Sequence, residues 1–320
     1  MKYVDEFRDR RLIDKVAGEI RRVVDPRRIY NIMEVCGTHT MSIFRFGLRD
    51  ILPSNIRLIS GPGCPVCVTP NEFLDKAMAI ADSKHVIIAT FGDMLKVPGS
   101  YSSLEKEKAK GADIRIVYSS LDALDLAKKN PKKEIVFLGI GFETTAPTVA
   151  QSILIAEREE LSNYSVLCGH KTMPEVLEAL VSGGSINPVR NHKISNGIKV
   201  DGFLLPGHVS AIIGSGPYKF LSVRYKKRCV ISGFEPLDIM QSILMLIRQN
   251  PPAVEIQYNR IINEEGNLVA RKTIAKVFEK SSSVWRGIGV IERSGLNIKN
   301  SYEEFDARTK FHPKPKMSKE

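Results

Sequence analysis

The sequence predicts an α/β fold built from parallel sheets, and two observations support that prediction. Short apolar runs, rich in β-branched residues and apolar on both faces, recur along the chain, and such runs are typical of parallel strands covered by helices on both sides. Helical patterns lie between several of these runs, and an alternation of strands and helices favours parallel sheets. We therefore expect two parallel-sheet α/β units that face each other across a cleft.

The individual elements follow from the same patterns. Strands are predicted at 29–35, 56–60, 86–91, 114–118, 135–140, 165–168, 200–205 and 229–232. Helices are predicted at 71–82, 121–130, 148–160, 174–181 and 236–248.

The predicted domains follow the order of these elements along the chain. Residues 36–150 are expected to form the first α/β domain, with a thiol site, and residues 151–232 the second. Residues 1–35 and 233–320 are expected to form a helical and irregular part built by both termini. The polar, turn-rich stretch 182–197 has no periodicity, which indicates a surface loop or an insertion.

Composition and charge narrow the class of protein. The chain has 320 residues, of which 43% are hydrophobic and 26% charged, as in ordinary soluble globular proteins. No apolar run approaches the roughly 20 residues of a membrane helix, and the charged N-terminus lacks a signal-peptide core, so we expect a cytoplasmic protein without a membrane partner. The net charge of +11 is spread along the chain and aromatic residues make up only 7%. We expect no nucleic-acid partner, and an acidic protein partner explains the charge at least as well.

Three of the five cysteines lie in turns that follow predicted strands. One strand leads into Cys36-Gly-Thr-His39, and the next leads into Cys64-Pro-Val-Cys67. In a reducing compartment such cysteines are more often metal ligands or redox groups than structural disulfides. A Cys-x-x-Cys pair can form a reversible disulfide, and nearby helix N-termini favour the thiolate. Both pairs also have the spacing of zinc ligands, so a structural Cys3His zinc site is an alternative.

Two further strand-end loops contain candidate site residues. Glu143 stands in a glycine-rich loop before a predicted helix, where it can accept a proton or pair with a cation. Thr144 or Thr145 can cap that helix, whose N-terminus offers N–H groups to an anion. His208 follows another strand in a Pro-Gly-His-Val-Ser turn, and a histidine there can be a ligand or a hydrogen-bonded surface residue.

The remaining cysteines and the other strand-end histidine are weaker candidates. Cys168 and Cys229 lie within apolar strand patterns and are expected to be inert. His170 follows the strand that contains Cys168, and its position is compatible with a ligand or with a hydrogen-bonded core residue.

Four runs of the sequence together resemble one family. These runs are Glu34-Val-Cys-Gly-Thr-His-Thr40, Gly61-Pro-Gly-Cys-Pro-Val-Cys67, Gly141-Phe-Glu-Thr-Thr-Ala-Pro147 and Pro206-Gly-His-Val-Ser210. In this order they resemble the hydrogenase-maturation factor HypD family, and the resemblance extends to about Phe311.

The resemblance implies a scaffold that holds iron while the Fe(CN)2CO group of [NiFe] hydrogenase is assembled, rather than an enzyme that turns over. It implies iron binding with carbon monoxide and cyanide as ligands, a HypC-type small chaperone as partner and a HypE-type cyanide donor. By position, Cys36 matches the iron-binding cysteine, with His39 beside it, and Cys64 and Cys67 match the redox-active pair.

The sequence departs from the family in two places. The stretch near 183–197 resembles an insertion. The family also has a cysteine-rich segment that binds a [4Fe-4S] cluster, and no cysteine follows Cys229 in this sequence, so the ligands of that cluster are absent from it. Besides the assembly scaffold, a thiol-disulfide oxidoreductase that uses Cys64 and Cys67 alone and a structural zinc protein stay open as alternatives.

Overall fold

The computed structural model describes residues 5–183 and 197–314, and within them the chain alternates strands and helices. The strands are β1 (Tyr30–Glu34), β2 (Ile56–Ser60), β3 (Val86–Thr90), β4 (Ile114–Ile116), β5 (Glu134–Gly139), β6 (Tyr164–Cys168), β7 (Gly202–Pro206), β8 (Arg228–Ser232), β9 (Val254–Ile256), β10 (Phe278–Trp285) and β11 (Gly289–Ile298). Every predicted strand is present, with ends that differ from the prediction by no more than two residues.

The helices occupy the segments between these strands and at both ends of the described chain. They are α1 (Arg10–Val23), α2 (Gly37–Arg45), α3 (Leu48–Ile51), α4 (Asn71–Ala81), α5 (Leu104–Ala109), α6 (Ser120–Lys129), α7 (Ala146–Arg158), α8 (Met173–Ser182), α9 (Gly207–Ile213), α10 (Lys219–Val223), α11 (Pro236–Arg248), α12 (Leu268–Val277) and α13 (Ala307–Phe311). All predicted helices are among them. No helix in the described ranges is both long and apolar enough to span a membrane.

The strands form two parallel sheets, which confirms the predicted α/β class. One sheet has five strands in the order β2-β1-β7-β8-β9, and the other has four in the order β4-β3-β5-β6. β10 and β11 form a separate antiparallel pair. This hairpin lies in the C-terminal part that the sequence was expected to fold into helices and irregular structure.

The chain divides into two compact units, one around each parallel sheet. The first unit comprises, within the described residues, 5–64, 178–183 and 197–268, and the second comprises 65–177 and 269–314. This division differs from the consecutive ranges 36–150 and 151–232, because β1 and β2 share a sheet with β7, β8 and β9. Strand periodicity does not reveal which sheet a strand joins. The predicted loop at 182–197 lies almost wholly outside the described residues.

The first unit has a core between its sheet and two amphipathic helices. Asp9 caps the start of α1, and its carboxylate accepts hydrogen bonds from the N–H groups of Arg11 and Leu12. Its buried residues are Ile13, Ala17 and Ile20, and they pack with residues of β1 and α11 in one cluster. This core fixes the carboxyl ends of β1, β7 and β8, where the candidate residues of this unit lie.

The second unit has cores on both faces of its four-stranded sheet. β3 and β5 are buried at nearly every position, as expected of central parallel strands. α6 and α7 cover one face and α4 and α5 cover the other. The hairpin of β10 and β11 contributes Phe278 and Leu296 to the first of these cores. This packing holds the segments that follow β5 and β6.

Candidate functional site

Cys36 and the Cys64 loop leave neighbouring strands at the same edge of the first unit's sheet. β1 and β2 pair in parallel with Glu34 opposite Ser60, so the two strands end side by side. Cys36 lies two residues after the end of β1 and is the N-cap residue of α2. Cys64 follows β2, and the loop continues to Asn71, where α4 begins. The predicted placement of both motifs at strand-to-helix turns is confirmed.

Backbone hydrogen bonds join these two loops. The amide of Gly61 donates to the carbonyl oxygen of Glu34 at 2.8 Å, and the amide of Gly37 donates to Gly63 O at 3.0 Å. A Cβ atom added to Gly63 would lie 2.5 Å from Cys36 Cα, so only glycine fits at this crossing. A Cβ atom on Gly37 would lie 3.8 Å from Cys64 Cβ, which places Cys64 next to the start of α2.

The thiols of this region differ in their exposure. Cys36 and Cys64 are partly exposed, and Cys67 is exposed. Burial raises the pKa of the Cys36 thiol, and the negative charge of Glu34 adds to that rise. The N–H groups of Thr38 and His39 act in the opposite direction because they stabilise the thiolate at the helix start. Cys36 therefore favours its thiol form until a cation replaces the proton, as metal binding does.

Glu34 is a buried carboxylic acid that the sequence interpretation did not single out. It is the last residue of β1, is 1% exposed, and accepts a hydrogen bond from Thr40 Oγ1 at 2.7 Å. Burial raises its pKa, and hydrogen bonds from Ser60 and Thr40 partly offset that rise. An acidic residue at the end of an otherwise apolar strand is the signal that would have identified it.

His39 is fully buried, and its hydrogen bonds leave one ring nitrogen available as a potential ligand. Its Nε2 lies 3.0 Å from Gly233 O and 3.3 Å from Ser232 O, and because carbonyl oxygens only accept, Nε2 must donate the proton. Nδ1 then has a free lone pair, and it has no hydrogen-bond partner among the described residues. Burial lowers the pKa of His39 to about 4, so the ring is neutral. Metal-bound histidines commonly donate their second N–H to a carbonyl in this way.

Phe234 connects His39 to His208. The ring of His39 stacks on Phe234 with centroids 4.8 Å apart, and the ring of His208 stacks on it at 3.9 Å. His208 is exposed at the start of α9, and partial removal of water lowers its pKa. The sequence interpretation missed Phe234, although it follows the end of β8 as the other candidates follow their strands.

A cavity of about 440 Å³ opens beside these rings within the first unit. Its walls include Thr38 and His208, together with Phe234 and Tyr258. It also has a charged wall, which consists of Glu235, Asp238 and Arg260. Because Thr38 is two residues after Cys36, the cavity lies close to the Cys36 loop.

The described residues offer few groups that could bind a metal. In the part of the chain that the structure describes, no group of three or more histidine, cysteine, aspartate or glutamate side chains could hold a metal ion. Cys36 and His39 offer one thiolate and one imidazole nitrogen, which fit a soft or intermediate metal whose other ligands come from elsewhere. The described residues do not fit a [4Fe-4S] cluster, which usually requires four thiolates.

Glu143 is fully enclosed in the second unit. It is 5% exposed, its Oε1 accepts a hydrogen bond from Met173 N at 2.9 Å, and its Oε2 has no partner among the described residues. Burial raises the pKa of Glu143 to about 7, with a smaller contribution from Glu175. Such a carboxyl can exchange a proton near neutral pH.

Thr144 and Thr145 are half-buried at the start of α7. Thr145 is the N-cap residue, but its side chain makes no capping hydrogen bond, and Thr145 Oγ1 instead donates to Phe142 O at 3.4 Å. Pro147 stands in the first turn, as the sequence predicts. Thr144, Thr145 and the first turn of α7 therefore remain a candidate anion-binding site.

The two other cysteines are buried. Cys229 lies in β8 and is 0% exposed, and burial raises its pKa. Cys168 ends β6, and burial raises its pKa to about 11. Both positions agree with the expectation that these thiols are inert.

Comparison with known proteins identifies the family. The model of the family described as HypD, hydrogenase formation hypA family, matches residues 11–320. The hydrogenase maturation factor HypD of Rhodobacter capsulatus is 47% identical over 320 residues, which cover 97% of this chain and 82% of the relative. The protein of the same name from Escherichia coli strain K12 is 43% identical over 326 residues, which cover 99% of this chain and 84% of the relative. The chain therefore belongs to the HypD family of hydrogenase maturation factors.

Proposed function

We propose that this chain acts in hydrogenase maturation, as its relatives are named to do, and holds iron at Cys36 while the Fe(CN)2CO group of [NiFe] hydrogenase is assembled. The observation that supports the proposal most is the hydrogen-bonded junction of Gly37 with Gly63. It keeps the Cys36 loop beside Cys64, so the cysteine proposed to bind iron and one of the two cysteines proposed to be redox-active lie at one sheet edge.

Iron is the substrate in this proposal. Fe(II) with strong-field cyanide and carbonyl ligands is well served by a soft thiolate. Cys36 supplies that thiolate, and Nδ1 of His39 is the second donor that this chain offers. Cys36 is only partly buried, so a cysteine of a HypC-type small chaperone can complete the coordination and later take the iron away.

Cys64 and Cys67 supply electrons when cyanide arrives as a thiocyanate on a partner's cysteine. The dithiol reduces the sulfur–carbon bond, which releases the partner's thiol and hydrogen cyanide and leaves a Cys64–Cys67 disulfide. Two electrons and two protons leave the dithiol, one proton goes to the partner's sulfur, and the other goes to the cyanide. The disulfide then needs an external dithiol reductant.

Other residues have supporting roles. Glu143 is a candidate proton acceptor, because its carboxyl titrates near neutral pH. Thr144 and Thr145 offer an anion-binding helix start. His208 and the cavity beside Phe234 form a surface for the HypC-type or the HypE-type partner. No step of this scheme passes through a [4Fe-4S] cluster.

The test is infrared spectroscopy of the anaerobically purified complex with its small chaperone. Cyanide and carbonyl stretching bands are expected, together with about one iron per chain by metal analysis. Cys36→Ala should abolish both, whereas Cys229→Ala, which removes a buried thiol of the same unit, should leave the bands in place. Iron at the wild-type level in Cys36→Ala would contradict the proposal. Stoichiometric zinc without iron would favour a structural zinc protein, and the absence of both metals would favour a thiol-disulfide oxidoreductase.

A further inference from the structure

A second, smaller cavity lies within the second unit, at the end of β6, and the proposed function does not use it. Its volume is about 230 Å³. Sites that take drug-sized ligands usually measure about 300–1,000 Å³, so this one suits a small ion or molecule. Its basic side chains are Lys76, Lys171 and Arg308, and its single acidic side chain is Glu72. This excess of positive charge points to an anion.

Lys171 is the most unusual of these cations. It is 2% exposed, and its Nζ donates to Ser283 Oγ at 2.7 Å and to Val284 O at 2.6 Å. Its ammonium group also lies 5.3 Å from the centre of the Trp285 ring. Among the described residues, no carboxylate pairs with this buried charge. A buried ammonium group with only neutral partners is costly, and an anion in the cavity would compensate it.

The other two cations reach the cavity from the edge. Lys76 pairs with Glu72 at 2.6 Å, and both side chains are partly exposed. Arg308 contacts Asp306 at 3.3 Å and donates to Asn297 Oδ1 at 3.0 Å. Lys76 can turn toward an anion because Glu72 stays in contact with water. Arg308 can do so because the buried Asp306 keeps the hydrogen bond from the Arg308 backbone N–H at 2.9 Å.

The hydrogen bonds of His170 indicate which kind of anion fits this cavity. The Cys168 thiol donates its proton to Leu296 O at 3.1 Å, and its sulfur lies 3.5 Å from His170 Nδ1. Nδ1 therefore carries the ring proton and donates it to the sulfur. Nε2 is then an acceptor, and it has no hydrogen-bond partner in the described part of the chain although the ring is 1% exposed. Burial lowers the pKa of His170 to about 3, so Nε2 stays unprotonated.

The hairpin of β10 and β11 completes the wall with hydroxyl groups. The pairing register shifts between Ser281 and Ser283, and this irregularity breaks the alternation of faces. Ser281, Ser282 and Ser283 consequently all line the cavity. Gly169 and Phe73 also line the cavity, and a Cβ atom at Gly169 would lie 2.6 Å from a ring carbon of Phe73, so a larger residue there would displace that ring.

We propose that this cavity binds a small oxyanion that keeps one proton, of which hydrogen phosphate and hydrogen carbonate are common examples. The charge of the anion faces Lys76, Lys171 and Arg308. Its O–H donates to Nε2 of His170, and the serine hydroxyls donate to its remaining oxygens. Sulfate has the shape of phosphate but no proton to donate at neutral pH, so it should leave Nε2 unpaired.

Isothermal titration calorimetry of the full chain near pH 7.5 tests this, with chloride holding the ionic strength constant. Separate arms with phosphate, hydrogen carbonate and sulfate distinguish the possible ligands. We expect one or both protonated anions to bind at least about tenfold more tightly than sulfate. Lys76→Met and Arg308→Gln should each weaken that binding by about tenfold, because each removes a charge-assisted hydrogen bond. Lys128→Met removes a surface lysine of the same unit that does not line the cavity, and it should change nothing.

Histidine-selective 15N labelling gives a second measurement on the unmodified chain. Of the six histidines, one should shift on addition of the tighter anion, and His170→Gln should remove that signal. Equal binding of sulfate, no binding above the chloride background, or affinities unchanged in Lys76→Met and Arg308→Gln would each overturn the proposal. Circular dichroism of each variant shows whether it is folded.

Discussion

The amide of Gly37 donates a hydrogen bond to the carbonyl oxygen of Gly63 at 3.0 Å, and this bond joins the loop of Cys36 to the loop of Cys64. Both loops leave the sheet from adjacent parallel strands, so they emerge at the same edge. The bond holds the two loops together. In the proposed function, such preorganisation lowers the cost of ordering the site when iron binds.

Gly63→Ala should disrupt this junction. The added Cβ atom would lie 2.5 Å from Cys36 Cα, so the two loops would have to separate. We expect a loss of about 1–3 kcal/mol in the free energy of unfolding, measured by urea denaturation, because backbone cannot yield as a flexible side chain does. Iron retention in the complex should fall as well.

Gly18→Ala is the matched control. Gly18 lies within α1 of the same unit, and a Cβ atom there would meet nothing within 4 Å. Alanine favours the helix, so this variant should be more stable by about 0.5–1 kcal/mol. Equal effects of the two substitutions would mean that the crossing of the loops is not tightly packed.

Glu143→Gln should change how stability depends on pH. Burial raises the pKa of Glu143 from 4.5 to about 7, so the folded chain binds this proton more tightly than the unfolded chain does. The stability that this proton confers is complete below pH 4.5 and is lost as the pH rises toward about 7. The wild type should therefore lose about 2–3 kcal/mol relative to Glu143→Gln over that interval.

Urea denaturation at a series of pH values measures this difference. Glu105→Gln, at an exposed position of the same unit, should follow the wild-type profile. Parallel profiles for wild type and Glu143→Gln would contradict the assignment of Glu143 as a group that titrates near neutral pH.

Arg260→Ala should be strongly destabilising because it leaves a buried charge without its partner. Asp238 is 0% exposed, and Arg260 contacts both of its carboxylate oxygens, at 2.8 and 2.7 Å. Breaking a buried pair costs about 3–5 kcal/mol. Arg10→Ala breaks the exposed pair with Asp14 and should cost less than about 1 kcal/mol. Thermal unfolding compares the two, and similar costs would show that water reaches Asp238.

The strand-end loops could be predicted from sequence because local patterns determine them. Each apolar run ends where glycine, proline or a polar residue begins, and this boundary located Cys36, Cys64, Glu143 and His208 after strands. The partners of each strand could not be predicted, since pairing depends on packing between distant segments. β7 follows β6 in the chain but joins β1 in the other sheet.

Two further features were missed because their signals are weak in a single sequence. The strands β10 and β11 contain many polar residues, such as Lys280 and Ser281, and so lack a continuous apolar run. Phe234 is a single aromatic residue in a short turn, and nothing local indicates that two imidazole rings stack on it. Contacts between residues far apart in the chain create both features.

The five cysteines should differ sharply in their reaction with iodoacetamide, measured by mass spectrometry of the reduced, native chain near pH 8. Cys67 is exposed and should react first, and Cys36 and Cys64 are partly exposed and should follow. Cys168 and Cys229 should react only after unfolding, because both are buried and burial raises the pKa of each thiol. The pKa of Cys36 is also raised above 9.0, so the labelling rate of Cys36 should keep increasing above pH 9.0, where the labelling rate of an ordinary thiol begins to level off. Rapid native labelling of Cys229 would show that β8 is open to solvent, which its position between β7 and β9 inside the five-stranded sheet excludes.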